Sequence, residues 1–273
     1  MKKSIIFIVN MIFLSNSVWG IGHDFLAPKK CSLKLIPISE AEDVRFTGNN
    51  VLIVIDMQND FLAQKGYYDR KTDLEAEMTS PASTDYEQAL ETPSAEQEYR
   101  LRKEFSPDFI ARVLETICQA EQQGIPIIFV RVEYDHTRKY ENPKAPPPDF
   151  LRKHPRYYPC KKNTWGSRLI APIEQLPIQA FEVVKHHYDG FCETDLARWL
   201  EQHGLMKPLV CGVETDACIT RTAGSPYKGR LDITVLSDSV ATSLGEGTHA
   251  LALEALQQAG ISCAGHALVL GAA

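Results

Sequence analysis

Short apolar runs closed by polar or turn-forming residues recur along the chain from residue 51 onward. Val51-Leu-Ile-Val-Ile55 is rich in β-branched side chains and has no polar face, the pattern of a strand buried on both sides. Ile125 to Val132, Phe181 to Val184, Pro208 to Val213 and Asp232 to Leu236 predict further strands. Helical stretches lie between them. Ser106 as N-cap, Pro107 in the first turn, Asp108 near the positive dipole end and Gly124 as terminator delimit one helix. Thr194 to Gly204, the segment after Asp216, and His249 to Ala259, stopped by Gly260, predict others. Strands alternating with helices of this length require right-handed crossovers, so the expected fold class is α/β, a mainly parallel sheet covered on both faces.

The segments outside this alternation read differently. Residues 21 to 49 lack periodicity and are expected to form an N-terminal extension. Residues 69 to 105 are dominated by polar side chains and predict a surface insertion. Residues 135 to 163, with Pro146-Pro-Pro148, predict a long loop over one end of the sheet, where specificity is commonly carried. Residues 1 to 20 have the form of a secretory signal: Lys2 and Lys3, the apolar run Ile5 to Leu14, then Ser17-Val18-Trp19-Gly20. The expected product is therefore secreted or periplasmic, with no stable membrane span after cleavage. The alternative is a membrane anchor through the same segment, which its short apolar run, interrupted by Asn10, disfavours.

With 273 residues, 44% hydrophobic and 23% charged, the chain has material for one sizeable core, residues 50 to 273. Its net charge of -6, and the lack of a basic run long enough to track phosphates, exclude nucleic acid as a partner. Seven cysteines (31, 118, 160, 192, 211, 218, 263) are an odd number without a C-x-x-C pair, so at least one thiol stays unpaired in a monomer.

In parallel α/β sheets, functional groups gather at the carboxyl ends of the strands. Three polar residues occupy such ends: Asp56 after the first run, Lys185 after Val183-Val184, and Cys218 just past Val210 to Val213. A thiol in the first turn of a helix faces unpaired N–H groups and the positive dipole end, so its pKa is expected below that of a free thiol. A nearby lysine adds to that effect, and an aspartate can take the thiol proton and return it to a leaving amine. Taken singly, each residue has an ordinary explanation: a turn cap, a solvated strand end, a small buried filler. Their joint placement favours chemistry.

Three segments carry a resemblance to a known family. Val51-Leu-Ile-Val-Ile-Asp-Met-Gln-Asn-Asp-Phe61 resembles the first-strand signature of the isochorismatase-like hydrolases, whose aspartate is the general base. Val183-Val-Lys-His-His-Tyr-Asp-Gly-Phe191, followed by Thr194-Asp-Leu196, is similar to the family's lysine segment. Cys211-Gly-Val-Glu-Thr-Asp-Ala-Cys-Ile219 resembles its nucleophile segment. The matches fall in the family's order between about residues 50 and 262. The resemblance implies a Rossmann-like three-layer α/β/α sandwich and a catalytic triad of Asp56, Lys185 and Cys218. It also implies a cis peptide at Val213-Glu214, oxyanion donors near Ala217 and Cys218, a homo-oligomer and no required cofactor.

Phe61, Trp165, Tyr188 and Phe191 are candidates for the walls of a substrate pocket. No metal site is expected. His186 and His187, adjacent on a strand, point to opposite faces, and Val130-Arg-Val-Glu-Tyr-Asp-His136 lacks the Asp-Trp-His of nicotinamidases. Pro226 should shorten or bend the helix after Cys218. The function expected is hydrolysis of a small amide, ureide or related C–N bond through a thioester. The alternatives are isochorismatase-type vinyl ether hydrolysis, or an exported binding protein on the same fold.

Overall fold

The computed structural model describes residues 32–41, 44–69, 100–135, 137–139, 148, 151 and 158–271. The signal segment, residues 21–31 of the extension, residues 70–99 of the insertion and His136 lie outside the described residues. The described chain builds one sheet of seven strands: β1 (Lys34–Pro37), β2 (Asn50–Ile55), β3 (Ile127–Val132), β4 (Gln179–Lys185), β5 (Lys207–Val213), β6 (Thr234–Ala241) and β7 (Ser262–Ala264). The order is β1-β4-β3-β2-β5-β6-β7, and every pairing is parallel. From β2 the chain moves one way through β3 to β4, then returns to lay β5 on the other side of β2. That reversal leaves a crevice at the carboxyl ends of β2 and β5, the position where such sheets bind ligands.

Each strand sends alternate side chains to opposite cores. Leu52 and Val54 join Ile127, Phe129, Leu209 and Cys211 on one face, against α2 (Pro107–Gln122) and α7 (His266–Leu270). Val51, Ile53 and Ile55 join Ile128, Val130 and Val210 on the other, against α4 (Leu196–Gln202), α5 (Thr220–Ala223) and α6 (Glu246–Gln258). Two short helices, α1 (Asn59–Leu62) and α3 (Ala171–Glu174), lie near the strand ends. All of Val51 to Ile55 are at most 1% exposed, each such burial being worth about 1.5–3 kcal/mol relative to exposure. In α2, Phe109, Ile110, Val113, Thr116, Ile117 and Ala120 form the buried stripe, and Ser106 accepts the Phe109 N–H at 3.1 Å, the capping bond its position implies.

Several boundaries differ from the sequence reading. Lys34–Pro37, placed there in a surface extension, is an edge strand on β4. It is too short and too evenly half-buried to show a period. Strand β6 continues through Ser237-Asp238-Ser239, whose polarity hid it. A register shift opposite Val210/Gly212 accommodates these residues, and Ser239, fully buried, meets the Thr116 hydroxyl at 3.0 Å. The far end of the polar insertion returns to the core. Leu101 bridges Ala63, Phe105 is buried, and buried Arg102 donates to the Phe61 carbonyl at 2.6 Å.

Candidate active site

Asp56 immediately follows β2 and takes a left-handed backbone conformation, φ 53°. Its amide is held by Val130 O at 2.9 Å. Lys185 closes β4, and its side chain crosses the end of β3 to place Nζ 2.7 Å from Asp56 Oδ2 and 3.1 Å from Tyr188 O. Cys218 sits in the turn Thr215–Ile219 that leads from β5 into α5, and its thiol lies within electrostatic reach of both Asp56 and Lys185. The three groups that the sequence placed at three strand ends therefore meet in the crevice between β2 and β5. The Val213-Glu214 peptide before the turn is cis.

Strand β5 approaches β2 closely at this point. Gly212 has φ +113°, and a Cβ there would lie 2.1 Å from Ile55 O. Only glycine allows both that conformation and that approach, and the approach brings the turn that holds Cys218 beside Asp56.

All three side chains are withdrawn from water: Asp56 and Lys185 are 0% exposed and Cys218 4%. Burial raises the Asp56 carboxyl, against the pull of the Lys185 ammonium and the nearby Cys218 thiol. Burial also opposes the Lys185 charge, but Asp56 and Cys218 outweigh it and hold that proton above the usual lysine range. The Cys218 thiol is pushed far up, first by burial and then by the Asp56 carboxylate, with Lys185 opposing. This corrects the expectation of a depressed thiol pKa. The helical run that holds Cys218, one π-helical turn (Thr215–Ile219) continuing into α5, is short, so its dipole acts weakly on the sulfur. A neighbouring carboxylate in a dry site outweighs it. Burial and the neighbouring carboxyl thus favour the neutral thiol, beside the Asp56–Lys185 pair.

The residues expected to wall a pocket differ in their surroundings. Phe61, in α1, is buried and its ring stacks on Tyr68 with centroids 5.5 Å apart. Trp165 is half-buried, and its carbonyl accepts from Asn59 Nδ2 at 2.9 Å. Tyr188 is exposed, beside the lysine its carbonyl holds. Phe191 is buried in the core layer of α4 and α5, its ring 5.3 Å from that of Tyr227. The Ala217 amide donates to Glu214 O at 3.1 Å, an internal bond of the turn.

Other side chains frame the crevice without having been singled out in the sequence. The Tyr68 and Tyr134 hydroxyls lie within electrostatic reach of Cys218, and burial raises both phenols well above their ordinary value, so they remain donors at neutral pH. Buried Gln58 donates to Val132 O (2.8 Å) and Ser167 O (2.7 Å) and accepts the Val132 N–H (2.8 Å). Asp60 accepts the Tyr67 and Cys160 amides at 2.7 and 2.6 Å and lies against Gly166, where a Cβ would meet its Oδ2 at 2.1 Å. Gln58 and Asp60 stand inside the first-strand motif, which was the available signal. The tyrosines lie in loops with no readable period.

The histidines are partnered within the fold. His186 Nδ1 meets Glu133 O at 2.6 Å, and His187 Nε2 lies 3.2 Å from Glu193 Oε2. Among the described residues, no group of three or more His, Cys, Asp or Glu side chains converges as a metal site. Six cysteines in the described residues are free, and no described helix is long and apolar enough to cross a membrane.

The chain has relatives among known proteins. A ureidoacrylate amidohydrolase from Pantoea ananatis is 24% identical over 208 residues, 72% of this chain and 71% of that protein. A probable inactive nicotinamidase from Arabidopsis thaliana is 26% identical over 205 residues, 72% of this chain and 83% of that protein. The crystal structure of an isochorismatase family protein from Desulfovibrio vulgaris superposes with a TM-score of 0.57 at 18% identity, covering 81% of this chain and 96% of that one; at that identity the likeness speaks for the fold alone. Residues 50–267 match the Isochorismatase domain, so this chain belongs to the isochorismatase family of hydrolases.

Proposed function

We propose that the protein hydrolyses a small amide or ureide with Cys218 as nucleophile, Asp56 as acid–base group and Lys185 as the fixed cation that holds them. The observation that supports this reading is the convergence of the three side chains, with Lys185 Nζ 2.7 Å from Asp56 Oδ2 and the buried Cys218 thiol within electrostatic reach of both. As the sulfur attacks the acyl carbon, the thiol proton passes to Asp56, and a C–S bond forms while the carbonyl π pair moves onto oxygen. The oxyanion collapses, the C–N bond breaks, and the leaving nitrogen takes the proton from Asp56. Asp56 then removes a proton from water; the hydroxide attacks the thioester, and the acid departs as the thiol is re-formed. The raised thiol pKa suits this order, because the proton leaves sulfur only as the new bond forms. The Cys218 amide is the oxyanion donor in this reading.

The ureidoacrylate amidohydrolase relative favours a C–N bond as the target, and the Tyr68 and Tyr134 phenols provide donors for an acceptor atom on the substrate. The test is turnover on a panel of small amides, ureides and isochorismate, with intact-mass detection of an acyl-enzyme. A mass gain at Cys218 that disappears in Cys218→Ala supports the reading. Turnover of isochorismate alone, without a covalent species, would replace it with vinyl ether hydrolysis. The inactive relative gives a third outcome: saturable binding without turnover identifies a binding protein on this fold.

A further inference from the structure

The segment that follows Lys185 is fastened, residue by residue, to the segment that follows Cys218. Asp189 Oδ2 accepts the Ser225 hydroxyl at 2.8 Å, the Gly190 amide donates to Thr222 Oγ1 at 2.9 Å, and the Phe191 ring lies 5.3 Å from that of Tyr227. Thr222 has no exposed surface and Ser225 only 2%. Gly190 lies so close to α5 that a Cβ there would meet Thr222 Oγ1 at 3.3 Å.

These contacts join parts of the sheet that no ladder joins. Lys185 ends β4 and Cys218 follows β5, with β3 and β2 between them. Lys185 Nζ donates to the carbonyl of Tyr188, the residue before Asp189, so a movement of Asp189 carries one of the ammonium's acceptors with it. On the other side, Thr222 stands one turn beyond Cys218 in the helical run from Thr215 to Ala223.

Pro226 makes Ser225 available for this contact. Helix α5 stops at Ala223, short as that proline requires, and Ser225 takes φ -55° and ψ 156°, the extended conformation that a residue before proline prefers. Its hydroxyl is released from the helix and meets Asp189. The other Asp189 oxygen accepts the Phe191 N–H at 2.8 Å, so the carboxyl group is held from both sides.

We propose that Asp189 is a positioning residue for the crevice: through Ser225, and with Thr222 on Gly190, it keeps the Lys185 loop in register with the helical run that carries Cys218. Its effect on turnover rests on the roles proposed above for Lys185 and Cys218, but the fastening itself does not.

Two readouts keep these apart. Acetylation of Lys185 by acetic anhydride in the full chain, resolved by peptide mass spectrometry, reports how firmly the ammonium is held and needs no substrate. Asp189→Ala should raise that rate about tenfold over the wild type, because the loop opens locally. Asp189→Asn should return it to within about threefold, since its amide oxygen accepts the Phe191 N–H while its amide nitrogen donates to the Ser225 oxygen. If Asp189→Ala does not fold, Ser225→Ala removes the same bond with the loss of a single oxygen atom and should give the same increase. On an amide that the wild type turns over, Asp189→Ala should lower kcat about tenfold with KM changed by less than about threefold, and Asp189→Asn should recover kcat. An unchanged acetylation rate in the Ala variants, an Asn variant that behaves like Ala, or a loss confined to KM overturns the positioning role. Faster acetylation that Asn rescues, with no amide turned over by the wild type, would leave the fastening standing and remove the hydrolase reading.

Discussion

Lys185 Nζ stands 2.7 Å from Asp56 Oδ2, and neither side chain has any exposed surface. A buried pair of this kind tolerates loss of both charges better than loss of one. Lys185→Met should therefore cost about 3–5 kcal/mol in urea unfolding, while adding Asp56→Asn should recover part of that stability without restoring turnover. A double variant less stable than Lys185→Met would show that the two charges do not compensate each other.

The raised thiol of Cys218 makes a second expectation. Near neutral pH it should label more slowly with iodoacetamide than half-buried Cys118 or Cys192, with the rate climbing only in the alkaline range. Asp56→Asn removes the anion that, after burial, does most to raise the thiol, so labelling of Cys218 should begin at lower pH; Lys185→Met should move it the other way. Site-resolved peptide mass spectrometry across pH gives the comparison, and an Asp56→Asn profile identical to wild type would refute the coupling.

Gly212→Ala should be among the most damaging single-methyl additions in the protein. The new Cβ would meet Ile55 O at 2.1 Å with φ at +113°, so β5 must move away from β2. The expected loss is about 3 kcal/mol or more, accompanied by loss of turnover, because Cys218 moves with β5. A stable and active Gly212→Ala enzyme would mean that the close strand approach is dispensable.

Asp238 supplies a pH test away from the crevice. Burial opposes its charge, but two bonds from His266, through Nδ1 at 2.8 Å and the backbone amide at 2.9 Å, hold the carboxyl below its ordinary 3.8. A carboxyl lowered by folding contributes stability above its unfolded pKa and loses it as pH falls through the folded value. Asp238→Asn should thus flatten the acid end of the stability profile, below about pH 4. Its side chain is 38% exposed, so after solvent screening the effect at neutral pH should be about 0.5–1 kcal/mol. Parallel denaturation curves at pH 3 and pH 7, the two test conditions, would measure it; an unchanged pH dependence would discount the contact.

Much of this architecture was legible in the residues. The doubly buried strand Val51 to Ile55, the capped helix from Pro107 and the alternation that follows all left clear periods. Strand β1 left none, because a four-residue edge strand has no fully buried face to impose alternation. The polar stretch within β6 was opaque because its Ser and Asp side chains are satisfied by Thr116 and His266, from distant parts of the chain. The same limit applied at the site. Strand ends located Asp56, Lys185 and Cys218, since topology fixes where strand ends gather. The sign of the thiol shift depended on burial and on the distance to a carboxylate, which motif spacing does not encode. Phe191, a candidate pocket wall, packs its ring against Tyr227 in the core layer that also holds Cys218, a pairing between distant segments that no local pattern encodes.

The return of the chain from β4 to β5 also orders events in time. Asp56 and Lys185 are separated by 129 residues, and Cys218 is synthesised after both. Before β5 settles beside β2, the sulfur has neither a base to receive its proton nor a cation to hold it, and it behaves as an ordinary cysteine. On the proposed mechanism, nucleophilicity is thus conferred by assembly, when β5 comes to lie beside β2. On that mechanism a nascent or partly opened chain forms no acyl-enzyme, so acyl-enzyme formation would gauge completed assembly of the sheet.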